Sequence, residues 1–162
     1  MPRATIQDLG RQSDRDLHGN KVFNSGALAI DANPNDVETT AAVNYTIKGI
    51  FYQLAAQAAI DLSTLTGLPT TALADGYTQI FGLEVNAAGT ISVVYGEQIS
   101  TAAITAGTQE LDWPVASSTS TVVFAAVKVG NASGSDFTFG TTSLATAGVT
   151  DTYYNLSGGG SY

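Results

Sequence analysis

The stretch YTQIFGLEVNAAGTISVVY, residues 77–95, sets the architecture. Tyr77–Val85 is rich in β-branched and aromatic residues, the composition of a strand. Asn86-Ala87-Ala88-Gly89 then supplies turn chemistry, and alternation resumes over Thr90–Tyr95. Side chains in a strand repeat every two residues, so Ile91, Val93 and Tyr95 share one face. The segment therefore predicts a meander-like hairpin.

Downstream, the idea recurs. Thr121–Val129 (TVVFAAVKV) runs into Asn131-Ala132-Ser133-Gly134, followed by Phe137 and Phe139. The two units share an aromatic residue, an alternating Val pattern and an Asn-x-x-Gly turn. Two copies make a weak pseudo-repeat and not a solenoid. Between them stands Pro114, where a central strand would lose a backbone donor. The tail predicts a turn or helical bend at Thr142–Ala147 and a strand at Thr152–Leu156, and the glycines at 158–160 end the ordered domain. Upstream, Val43, Tyr45 and Ile47 alternate with polar residues and predict a strand before Gly49. After Gly49 the pattern supports either state. Tyr52 and Leu54 continue a strand, whereas Ile47, Phe51, Leu54, Ala58 and Leu62 fall on one helical face and residues 55–59 are alanine-rich. Residues 1–42 carry little periodicity and contain the cluster DANPNDVE at 31–38. They read as an extended N-terminal arm with few core contacts that orders on a partner. The expected fold is all-β, a small antiparallel sandwich or barrel over residues 43–162 with that arm attached.

Composition narrows the function. Charged residues make up 12% of the 162-residue chain, against about a quarter in ordinary soluble domains. A surface so poor in charge is less costly to desolvate, which suits it to being covered by neighbours. With no cysteine, neither a disulfide nor a thiolate metal site can form. The polar N-terminus lacks the apolar core of a secretory signal and no run of 18 apolar residues occurs, so the expectation is a soluble intracellular start with no membrane partner. Residues 1–21 hold four basic residues (Arg3, Arg11, Arg15, Lys21) against three acids, while residues 22–162 hold two against eleven. Such a body repels phosphates, which argues against a nucleic-acid partner.

Reactive chemistry is sparse. His18 is the one histidine, set in the polar arm without metal-ligand spacing, and reads as solvated. No G-x-S-x-G elbow, phosphate loop or H-E-x-x-H is present. The oxygen-rich run Asp31, Asn33, Asn35, Asp36, Glu38 invites a calcium reading. Asp36 stands where the loop glycine belongs and Ala42 where the bidentate acid belongs, so an acidic turn is favoured. Glu110 and Asp112 would face the same way on a strand, as the paired carboxylates of a glycosidase can, but beside Trp113-Pro114 they read as an exposed strand end with one buried aromatic. Three sequons, at Asn44, Asn131 and Asn155, are discounted as chance matches in a Ser/Thr-rich chain. The chain is expected to be no enzyme and to hold no cofactor.

Three stretches resemble small virion proteins of tailed bacteriophages: NYTIKGIFYQLAA (44–56), FGLEVNAAGTISVVYGE (81–97) and FAAVKVGNASGSDFTFGTTSLATAGVTDTYYN (124–155). They are similar, in order, to that group's strand–Gly–strand opening, its Asn-Ala-x-Gly hairpin, and its closing block with a Gly-Thr-Thr-x-Leu element and a terminal Tyr pair. The resemblance covers about half the chain and implies a capsid decoration (cement) or related head structural protein. Such a protein would be made in the host cytoplasm, sit on the capsid surface of the virion, bind the major capsid protein and assemble as a homo-oligomer, with a trimer favoured. There are no catalytic residues to carry over. Arg3, Arg11, Arg15 and Lys21 of the arm are the candidate partner-binding residues. Two alternatives stand beside this reading. One is a tail or fibre component that stacks host surface glycans on Trp113 and on Tyr77, Tyr95, Tyr153 or Tyr154; the other is a hydrolase using Glu110 and Asp112.

Overall fold

A computed structural model of the protein describes residues 19–157. Among these, the strands in chain order are β1 (Lys21–Ser25), β2 (Leu28–Ile30), β3 (Asp36–Thr39), β4 (Val43–Ile47), β5 (Ile50–Leu54), β6 (Ile60–Asp61), β7 (Tyr77–Asn86), β8 (Ile91–Tyr95), β9 (Ile99–Ser100), β10 (Thr121–Asn131) and β11 (Val149–Asn155). One short helix, α1 (Thr101–Thr105), and a 3-10 turn at Leu62–Thr64 complete the regular structure. The strands form three antiparallel sheets: β1-β4-β5, β2-β3-β6, and β11-β10-β7-β8 with β9 pairing the start of β7. All three contribute to one apolar core, through residues such as Tyr45, Val37 and Phe81.

The 77–95 hairpin forms as expected, as β7 and β8, in register from Phe81↔Tyr95 to Val85↔Ile91. Its turn has a mechanism. The Asn86 side chain accepts from the backbone of Ala88 at 2.9 Å and Thr90 at 3.0 Å, and Gly89 takes the left-handed conformation, φ 80°, that L side chains rarely adopt. Asn131-Ala132-Ser133-Gly134 repeats this chemistry, with Asn131 accepting from the Ser133 backbone and Gly134 at φ 77°. The pseudo-repeat is thus one of strand and turn. The second unit makes no second hairpin: after its turn Phe137 pairs with Leu73, and β10 pairs with β7 and β11.

At the centre of the large sheet, β10 carries a bulge between Val123 and Ala125. An extra residue in one strand shifts the alternation by one place. Val122 before the bulge, Phe124 within it, and Ala125, Val127 and Val129 after it consequently all enter the core. The Leu156 backbone N–H satisfies the Phe124 carbonyl at 3.1 Å. Phe81 stacks on Phe139 with centroids 4.1 Å apart. Full burial of an apolar side chain of this kind stabilises by roughly 1.5–3 kcal/mol.

Three expectations change. Residues 19–42 are not an arm outside the core: β1 pairs with β4, β2 with β3, and Val22, Leu28 and Val37 are buried. Residues 1–18, with the rest of that expectation, lie outside the described residues. After Gly49 the chain is strand β5, and the alanine-rich stretch that follows is not helical. The Gln57 N–H donates to the Thr39 hydroxyl and its carbonyl accepts from the Thr39 N–H, so edge pairing overrides alanine's helix propensity. Glu110 and Asp112 lie in irregular chain between α1 and β10, not on a strand. In the tail, residues 142–147 turn as expected, and the last strand, expected at Thr152–Leu156, starts earlier, as β11 over Val149–Asn155.

Candidate functional site

Sheet β1-β4-β5 leaves β5 as an open edge. On β4, Val43, Tyr45 and Ile47 point into the core, so Asn44 and Thr46 point outward. Thr46 is opposite Lys21 on one side and Phe51 on the other, and Asn44 is opposite Gln53, which donates to it at 2.9 Å. Phe23 joins this outer face at the bulge between Val22 and Asn24, with its ring 6.3 Å from that of Phe51. Phe23 is 57%, Ile50 59% and Phe51 61% exposed. An edge strand presents unpaired backbone groups, and natural proteins usually blunt it with charge or proline. β5 (IFYQL) has neither. The hairpin that carries it is built by Lys48 and Gly49, both at positive φ, the two-residue turn that matches strand twist. The Asn20 side chain pins this turn by accepting from the Lys48 N–H at 2.9 Å, while its amide donates to the Thr119 and Thr121 carbonyls.

A second feature lies at the other end of β7, where Gln79, Tyr95, Glu97 and Asp112 line an open cleft of about 620 Å³. The irregular chain of residues 106–120 reaches it by packing across β7. Gly82 leaves room for Pro114, since a Cβ there would stand 2.8 Å from the proline ring. Next along the strand, the buried Glu84 accepts from the Ser117 backbone at 2.8 Å and from the Ser117 and Ser92 hydroxyls at 2.6 and 3.0 Å. Burial alone would raise the Glu84 carboxyl. The hydrogen bonds from Ser117, Thr121 and Ser92 outweigh it and hold the group below the usual carboxylate range.

Among the residues singled out from sequence, Arg3, Arg11, Arg15 and His18 lie outside the described residues. Lys21 is half-buried on β1, in the same row as Phe51. The Asp31–Glu38 run turns at residues 32–35 and enters β3 at Asp36, with Asn33 donating to the Asp36 carboxylate at 2.8 Å and the Asp36 N–H to the Asn33 carbonyl at 2.9 Å. Among the described residues, no group of three or more histidine, cysteine or acidic side chains could hold a metal ion. Glu110 is exposed and Asp112 lines the cleft. Trp113 packs edge-on against Tyr154 at 5.1 Å and is 40% exposed. The sequon asparagine Asn131 is buried and donates to the Leu73 and Ser135 carbonyls, which makes it a structural residue.

Sequence reading missed Phe23 and Ile50 as surface residues, because apolar residues in strands are ordinarily assigned to a core. It missed Gln79 and Glu84 too. Their signal was a polar residue inside an otherwise apolar strand. Compared with known proteins, the chain matches no family model, no curated protein and no solved structure.

Proposed function

We propose that this chain is a structural protein of a tailed-bacteriophage virion, a capsid decoration protein that binds the major capsid protein lattice and stabilises the head. The observation that carries the reading is the open β5 edge with Phe23, Ile50 and Phe51 exposed beside it. Such a surface supplies both backbone pairing and apolar area to a neighbour. The low charge of the chain makes covering it inexpensive in desolvation. Three antiparallel sheets share one apolar core, and we read them as a small sandwich. Repetition on a lattice converts modest single contacts into strong avidity. Cross-links between capsomers oppose the outward push of packed DNA, and a homotrimer would place three edges on one lattice axis.

Purified protein added to undecorated phage heads tests the reading. Saturable, stoichiometric binding is expected, together with a higher rupture temperature of the heads. Absence of binding to heads, with saturable binding to cell-wall glycans instead, would replace this reading with a fibre component that uses Trp113.

A further inference from the structure

The cleft beside β7 brings two acidic residues and the Gln79 amide together with the hydroxyl-bearing Thr71 and Tyr95. Glu97 and Asp112 contribute two exposed carboxylates. Gln79 is 3% exposed, and its Nε2 donates to the Gly96 carbonyl at 2.7 Å, which fixes the orientation of the amide. Its Oε1 is buried with no hydrogen-bond partner, and Gln79 contributes to the lining of the same cleft. A buried acceptor left unpaired is costly, so this oxygen is a position where a donor gains most.

The walls are held in place. Gln98 is committed at both ends, donating to the Ala72 carbonyl at 2.9 Å and accepting from the Ala74 N–H at 3.1 Å. The Gly96 N–H donates to the Ile80 carbonyl at 3.1 Å. Asp112 sits so close to Gly96 that a Cβ there would lie 2.3 Å from the Asp112 carbonyl oxygen. The half-exposed Tyr95 ring forms part of the lining.

We propose that this cleft binds an arginine side chain. A guanidinium brings five donors and no acceptor, matches carboxylates in pairs, and stacks on an aromatic face. A neutral sugar hydroxyl can donate to the same carboxylates but brings no charge to complement them. Two sources can present the group: an arginine of a partner protein, or one of the chain's own Arg3, Arg11 and Arg15, which are all of its arginines. This inference is independent of the proposed role on the phage head.

The test is an NMR titration of the full-length protein with N-acetyl-arginine amide, following the Gln79 side-chain amide and the Tyr95 ring, with the citrulline analogue as the neutral control. The full-length triple variant R3Q/R11Q/R15Q is titrated in parallel. Saturable shifts with arginine and none with citrulline are expected in the triple variant. Equal binding by the wild type assigns the site to a partner's arginine, and weaker binding by the wild type assigns it to the chain's own. In the triple-variant background, Glu97→Gln with Asp112→Asn, both exposed positions, is expected to weaken binding about tenfold or more. Failure of both proteins to respond, equal binding of citrulline, or unchanged affinity in the carboxamide variant would each overturn the proposal.

Discussion

Glu84 and Gly82 show how much single positions on β7 determine. Together they fasten the irregular chain of residues 106–120 across the central strand, one by accepting from Ser117 and the other by making room for Pro114. Because the folded protein favours the ionised Glu84, the stability this provides is fully present above the unfolded glutamate value, about 4.3. It is lost as pH falls through the lower folded value. Glu84→Ala would leave the Ser117 N–H unpaired and is expected to cost about 2–3 kcal/mol at neutral pH in chemical denaturation. Glu84→Gln can keep the same three partners by turning its oxygen to the Ser117 N–H and its amide to the two hydroxyls. It is therefore expected to cost less than Glu84→Ala and to flatten the acid limb of stability against pH; an unchanged acid limb would remove Glu84 from this role. Gly82→Ala places a methyl 2.8 Å from the Pro114 ring and about as near Val94 and Val123. A proline ring yields little, so a loss of about 1–3 kcal/mol is expected in the same measurement. From sequence, Glu84 is visible as one acid in an apolar run, but its partners Ser92 and Ser117 are ordinary serines that only the folded chain brings together.

Among the elements, the β7–β8 hairpin was legible because alternation and an Asn-x-x-Gly turn point the same way. β10 was legible too, although its bulge was not, since Phe124 and Ala125 in succession carry no sign of which residue the ladder will skip. β1, β2 and β3 were hidden for a related reason. The irregularity at Phe23 and the left-handed pair Gly26-Ala27 break the period within so few residues that no alternation survives. β5 was ambiguous because alanine's helix propensity competes with strand pairing, and pairing wins once Thr39 engages Gln57. The β4–β5 hairpin depends on its turn. Gly49→Ala at φ 77° is expected to cost about 1 kcal/mol and to broaden β5 resonances, whereas an unchanged melting curve would show the turn to be unstrained by a side chain. The Phe51 ring packs little within the chain. Phe51→Lys is accordingly expected to leave stability within about 0.5 kcal/mol of wild type while reducing self-association in sedimentation.

For the whole molecule, composition was the most informative part of the sequence. A chain with 12% charged residues, one core shared by three sheets and an uncovered apolar edge is suited to being surrounded by other protein. How the sheets associate was not legible, because strand periodicity records which face is apolar and not which other face it meets. The candidate surface was equally concealed, since Phe23, Ile50 and Phe51 look like core residues until the edge is seen to be open. The decisive measurement is binding of wild type and of the Phe23→Ser/Phe51→Lys variant to undecorated phage heads, each first shown to be folded by its melting curve. Saturation by the wild type, with affinity reduced at least tenfold in the variant, is the expected result, since the exposed apolar pair is the contact invoked. Heads that bind neither protein, or bind both equally well, would show that this edge is not a decoration surface.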